Sequence, residues 1–105
     1  MSVVAVFITA ANARDARRLA EALVAEKLAA CVSDIGPLRS VYRWKGRVER
    51  AREHLLIAKT VRARLRKLTT RVKALHSYDV PEIVALPVGG GNPDYLAWVE
   101  RETDQ

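Results

Sequence analysis

A chain of 105 residues, half of them apolar, has enough hydrophobic material for one packed core and is read as a single domain over residues 1–105. No apolar run approaches the ~20 residues that cross a bilayer, and Cys31, the sole cysteine, excludes an internal disulfide and suits a reducing compartment. The net charge of +6 is unevenly placed: Arg39 to Lys73 holds 13 basic residues against Glu49 and Glu53, for +11, and everything else carries −5.

The first elements follow from hydrophobic period. Val3-Val4-Ala5-Val6-Phe7-Ile8-Thr9 is an apolar, β-branched run and predicts a buried first strand without the basic start of a secretory signal, so a cytoplasmic location is expected. Asn12 is placed to cap a helix, with Asp15 in its first turn. Ala16, Leu19, Ala20, Leu23 and Leu28 recur at helical spacing, with the stem of Lys27 beside them, and predict a helix from about Ala13 to Leu28.

Ala29 to Ile35 predicts a second strand that breaks near Gly36-Pro37 and resumes from Leu38 to Lys45. Trp44-Lys45-Gly46-Arg47 has the make-up of a hairpin tip, with Gly46 free to adopt a positive φ. Val48 to Thr60 then returns as one long arm, on which His54 is expected to be exposed. Thr60 is placed to cap a second helix, in which Val61, Leu65, Leu68, Val72 and Leu75 form the apolar stripe. His76 to Pro81 is a polar connection, Glu82 to Val88 a last strand, and Asn92-Pro93 opens a third helix with Tyr95, Leu96 and Val99 on its apolar side.

The order is therefore β-α-β-β-α-β with a trailing helix, an α+β arrangement of the ferredoxin-like kind. The hairpin from Leu38 to Thr60 is longer than such a sheet needs. Its surplus backbone must meet water or another chain, and pairing between copies is the expected outcome.

Several segments resemble one family. Glu26 to Val32, Ser40-Val41-Tyr42-Arg43-Trp44-Lys45-Gly46, Leu55 to Thr60, Val72 to Val88 and Gly91 to Val99 are similar, in order, to the motifs of the CutA divalent-cation-tolerance proteins. The resemblance implies a ferredoxin-like fold, a PII-like homotrimer joined by its hairpins, a cytoplasmic location, and a role in divalent-cation tolerance with Cu(II) or another divalent cation as ligand. It also implies a cleft between subunits near Tyr42, Trp44, Lys59, Tyr78 and Glu82. The hairpin here is more basic than the acidic hairpins of the family, and Leu75-His76 replaces the two adjacent histidines of some members.

Read by chemistry, His76, Cys31, Asp79 and Glu82 are the candidate metal ligands, since copper favours imidazole and thiolate while harder ions favour carboxylate. No CxxC, HxH or HExxH spacing joins them, so a shared cleft in a trimer is the expected way to assemble a site. Cys31 in its apolar run also reads as a small buried hydrophobe. Lys59 with Glu82 and Tyr78 offers an alternative, a PII-like signalling trimer holding a small anion or nucleotide. Gly89-Gly90-Gly91 before a helix is neither a P-loop nor GxGxxG and reads as a turn. No catalytic triad or carboxylate pair is visible, so the chain is not expected to be an enzyme. Nucleic-acid binding through Arg39 to Lys73 ranks last, for want of the aromatic pattern of an RNA-recognition sheet.

Overall fold

The computed structural model describes residues 3–104. Four strands, β1 (Val3–Ala10), β2 (Cys31–Trp44), β3 (Arg47–Val61) and β4 (Ile83–Pro87), form one antiparallel sheet in the order β2-β3-β1-β4. Helices α1 (Ala13–Ala25) and α2 (Leu65–Leu75) cover one face, and α3 (Pro93–Glu102) follows β4. This is the ferredoxin-like βαββαβ plan with an extended hairpin and a C-terminal helix.

The core is built by the pleat. Alternate residues Val4, Val6, Ile8 and Ala10 of β1 meet Leu56 and Ala58 of β3, and Ala16, Leu19 and Leu23 of α1 and Leu68 and Val72 of α2 close over them. The other sheet face carries Phe7, Ile57, Val84 and Leu86, of which Val84 and Leu86 remain exposed.

Three boundaries differ from the expectation, each for a local reason. Helix α1 stops at Ala25 rather than Leu28, because Lys27 takes a left-handed φ of 59°. Its N–H bonds the Val24 carbonyl and the N–H of Leu28 bonds that of Leu23, a Schellman closure usually made by glycine. The stem of Lys27 therefore lies outside, not along the seam. Strand β2 does not break at Gly36-Pro37; a bulge between Asp34 and Pro37 shifts its register, with Gly36 at φ 84°. Asp34 supports the bulge by accepting from the Gly36 N–H and from His54. His54 is thus held, not exposed, its side chain only 15% accessible. Burial pushes the Asp34 carboxyl up, but the hydrogen bonds from His54 and Gly36 and the His54 charge outweigh it and hold the group below its usual range.

Thr60 caps nothing. It belongs to β3 opposite Val4, and a 3-10 turn at Arg62–Arg64 intervenes before α2. Its hydroxyl is fully buried and, among the described residues, has no hydrogen-bond partner. At the far end, Asn92 caps α3 through the Asp94 N–H with Pro93 in the first turn, as expected. Of that helix's apolar side only Val99 is fully buried, and Tyr95 stays 39% exposed.

Two substitutions test this account by chemical denaturation. Thr60→Val removes an unsatisfied buried hydroxyl at nearly constant volume and is expected to stabilise the fold by about 1–2 kcal/mol. Lys27→Gly relieves the left-handed strain and, after the added freedom of the unfolded chain, is expected to gain about 0.5 kcal/mol.

Candidate functional site

Strand β3 pairs with β1 only as far as His54 opposite Ala10, so residues 47–53 pair with β2 alone. The result is a two-stranded arm. Its tip is a two-residue turn in which Lys45 and Gly46 both have positive φ, 51° and 79°, the combination of a type I′ hairpin. Leu38, Ser40, Tyr42 and Trp44 share one face of the arm with their partners Glu53, Ala51, Glu49 and Arg47.

The connection from His76 to Glu82 crosses the end of β1 and meets the base of that face. His76 organises it. Its Nε2 lies 2.6 Å from the Thr9 carbonyl and its Nδ1 3.1 Å from the Tyr78 N–H. The second contact requires Nδ1 to accept, so Nε2 carries the proton and the ring is neutral in this arrangement. Tyr78 stacks obliquely on the imidazole at 4.7 Å and donates its hydroxyl to Glu53 at 2.8 Å. Burial pushes the Tyr78 phenol up, and the bond to Glu53 and the charge of that carboxylate push it further in the same direction.

Between arm and connection lies a cleft of about 620 Å³, lined by Tyr42, Trp44, Glu53, Tyr78, Asp79 and Glu82 with Thr9, Ser40, Val41 and Val80 at its borders. Three carboxylates face it and no lysine or arginine does.

The structure thus joins Tyr42, Trp44, Tyr78, Asp79 and Glu82 in one place. It does not join Lys59, which pairs with Ala5 and Cys31 in the middle of the sheet. Cys31 lies beside Ser33, with its sulfur 3.9 Å from the Ser33 hydroxyl, and close to Tyr95. His76 does not line the cleft and meets it through Tyr78 and the Thr9 carbonyl at its border. Among the described residues no group of three or more His, Cys, Asp or Glu side chains is arranged to hold a metal ion. Glu53 was not anticipated. The signal for it is the alternation of the arm, which puts the acid on the same face as Tyr42 and Trp44.

Comparison with known proteins agrees with this geometry. Residues 4–102 match the family described as CutA1 divalent ion tolerance protein. The chain belongs to that family. A divalent-cation tolerance protein CutA of Thermus thermophilus is 51% identical over 98 residues, covering 93% of this chain and 95% of that protein. The chloroplastic CutA 1 of rice is 47% identical over 100 residues, 95% of this chain but 56% of the rice protein, so the chain spans little more than half the length of that relative. Solved structures show the same fold: the crystal structure of CutA1 from rice superposes with a TM-score of 0.96 at 45% identity, covering 100% of this chain and 96% of the other. The Thermus thermophilus protein gives 0.95 at 49% identity, with 97% and 99% covered.

Within this CutA chain the Tyr78–Glu53 bond ties the connection to the arm. Tyr78→Phe leaves a mostly buried carboxylate without its donor and is expected to cost about 1–3 kcal/mol in denaturant unfolding at neutral pH. The raised phenol also fixes an alkaline dependence. The unfolded chain ionises Tyr78 near its ordinary value of 10.0 while the folded chain resists. The stability tied to this group is therefore full below that pH and falls as pH climbs above it. A pH series of unfolding curves should show this decline in the wild type and a smaller one in Tyr78→Phe.

Proposed function

We propose that this chain acts in divalent-cation tolerance as a homotrimeric, cytoplasmic, cation-responsive binding protein rather than as a catalyst. The observation that carries the reading is the cleft: Glu53, Asp79 and Glu82 line it, with no basic side chain among them, in a chain whose net charge is +6. Such a lining attracts cations and repels anions. It gives the PII-like reading, with a nucleotide or small anion as ligand, no foothold, since Lys59 lies elsewhere in the sheet.

The donors fit some ions better than others. Carboxylates and a phenol suit harder divalent cations, whereas copper is best served by imidazole and thiolate. Both ring nitrogens of His76 are engaged by backbone, and Cys31 lies half-buried on the edge strand β2, away from the cleft. One subunit's residues do not fit a copper centre. Any tight site draws donors from a second subunit, and the acids of this cleft are its contribution.

Trimer formation is supported by what the single chain leaves bare. Val84, Leu86 and Ile35 on the sheet, and Tyr42 and Trp44 on the cleft face of the arm, are all more than 40% exposed. Apolar surface of this kind marks contacts between proteins.

Calorimetric titration with Mn(II), Ni(II) and Cu(II) tests the cation reading, beside light scattering for a mass three times 11.7 kDa. Asp79→Asn with Glu82→Gln is expected to weaken binding by tenfold or more, while His76→Ala lowers stability without removing the ions. Equal, millimolar-weak binding by wild type and the acid variant would sink the proposal.

A further inference from the structure

The pleat that puts acids in the cleft puts a different set of side chains on the opposite face of the arm. There Arg39 stands directly across from Arg52, Val41 from Arg50 and Arg43 from Val48. All four arginines are exposed, and none makes an ion pair or hydrogen bond among the described residues. The two acids of the arm, Glu49 and Glu53, pair with Tyr42 and Leu38 and so lie on the other side. A directly opposed Arg–Arg pair is unfavourable in an isolated ribbon. An anion placed over both offsets that cost.

We propose that this face of the arm binds the phosphodiester backbone of duplex nucleic acid without sequence preference. Four features favour that occupant. Arg39 and Arg43 stand about 13 Å apart along the strand, with the partner strand about 5 Å away, so the guanidinium groups spread over a patch on which a duplex presents several phosphates. Each is a planar fork matched to phosphate oxygens. A two-stranded ribbon also has the dimensions of the major groove, about 12 Å wide. A membrane surface would call for aromatic anchors on the same face. Here Tyr42 and Trp44 are on the other one, and only the short Val41 and Val48 lie among the arginines.

The proposal is independent of the cation reading, because it uses none of the cleft's side chains. Its test is fluorescence anisotropy of a labelled, mixed-sequence 20-base-pair DNA duplex with the full chain in its native assembly, between 50 and 200 mM salt. Four phosphate contacts predict a log–log slope of about −3.6, or roughly a hundredfold loss of affinity over that range. Replacing Arg39, Arg43, Arg50 and Arg52 by Gln should abolish this slope, while Gln at Arg14, Arg17 and Arg18 of α1 should leave affinity within about twofold. Circular dichroism and light scattering verify fold and mass of each variant. Should the fourfold variant not fold, Arg39→Gln with Arg52→Gln keeps the test, with a slope shallower by about 2 and, from relieved repulsion, no loss of stability. Unchanged duplex binding in the arginine variants overturns the proposal, as does an equal loss in the α1 variant. So does binding confined to phosphatidylserine vesicles. An altered mass of the arginine variant without any duplex binding by the wild type assigns the face to contacts between copies and overturns it too.

Discussion

The length mismatch between β1 and β3 governs this molecule. β1 has 8 residues and β3 has 15, so the ladder that begins with two partners continues with one. A free two-stranded ribbon is marginal in water. Here it is held at its base by Glu53, buried against the Tyr78 hydroxyl, and His76 fixes Tyr78 in turn by accepting from the Tyr78 N–H and donating to the Thr9 carbonyl at the end of β1. Arm and connection support each other, and the cleft is the space left between them. Loosening either end of that chain of contacts opens the site.

The same ribbon explains why a strongly basic segment can border an acidic cleft. Charge along Arg39 to Glu53 is poorly ordered as a string but largely sorted as a pleat: both acids and the aromatics on one side with Arg47 at the tip, and Arg39, Arg43, Arg50 and Arg52 on the other. An analysis by net charge averages the two. By face, one side is suited to cations and the other to phosphates, with a single backbone between them.

Much of this was legible in the sequence where one period dominates. The run Val3 to Thr9, the stripe Leu65 to Leu75 and the Asn92-Pro93 start each match one template, and the structure agrees with them. The sequence was silent where tertiary geometry overrides local preference. Lys27 closes α1 in a conformation that favours glycine, because Leu23 and Leu28 are both buried by the closure. Thr60 has the chemistry of a cap, yet three further residues of 3-10 turn separate it from α2. At the site, Tyr42, Trp44, Tyr78 and Glu82 come together in a cleft of the single chain. Lys59 does not, because its place in β3 puts it six residues past Glu53, in the interior of the sheet. Glu53 pairs with Leu38 in a register that can be counted from the Lys45-Gly46 turn, on the face of Tyr42 and Trp44; the Tyr78 hydroxyl that meets it there comes from a distant connection and is legible only in the fold.

The two faces also constrain how copies can meet. A neighbouring subunit that covered the arginine face would bury four guanidinium groups that have no acid on their own arm, and removing an unpaired charge from water costs several kcal/mol per ion. Covering the cleft face instead buries Tyr42, Trp44 and the apolar stem of the ribbon, while Glu53 already has its donor. Association through the cleft side is the cheaper arrangement. In such an arrangement the acids of the cleft would lie beside the second chain, and the arginines would face water.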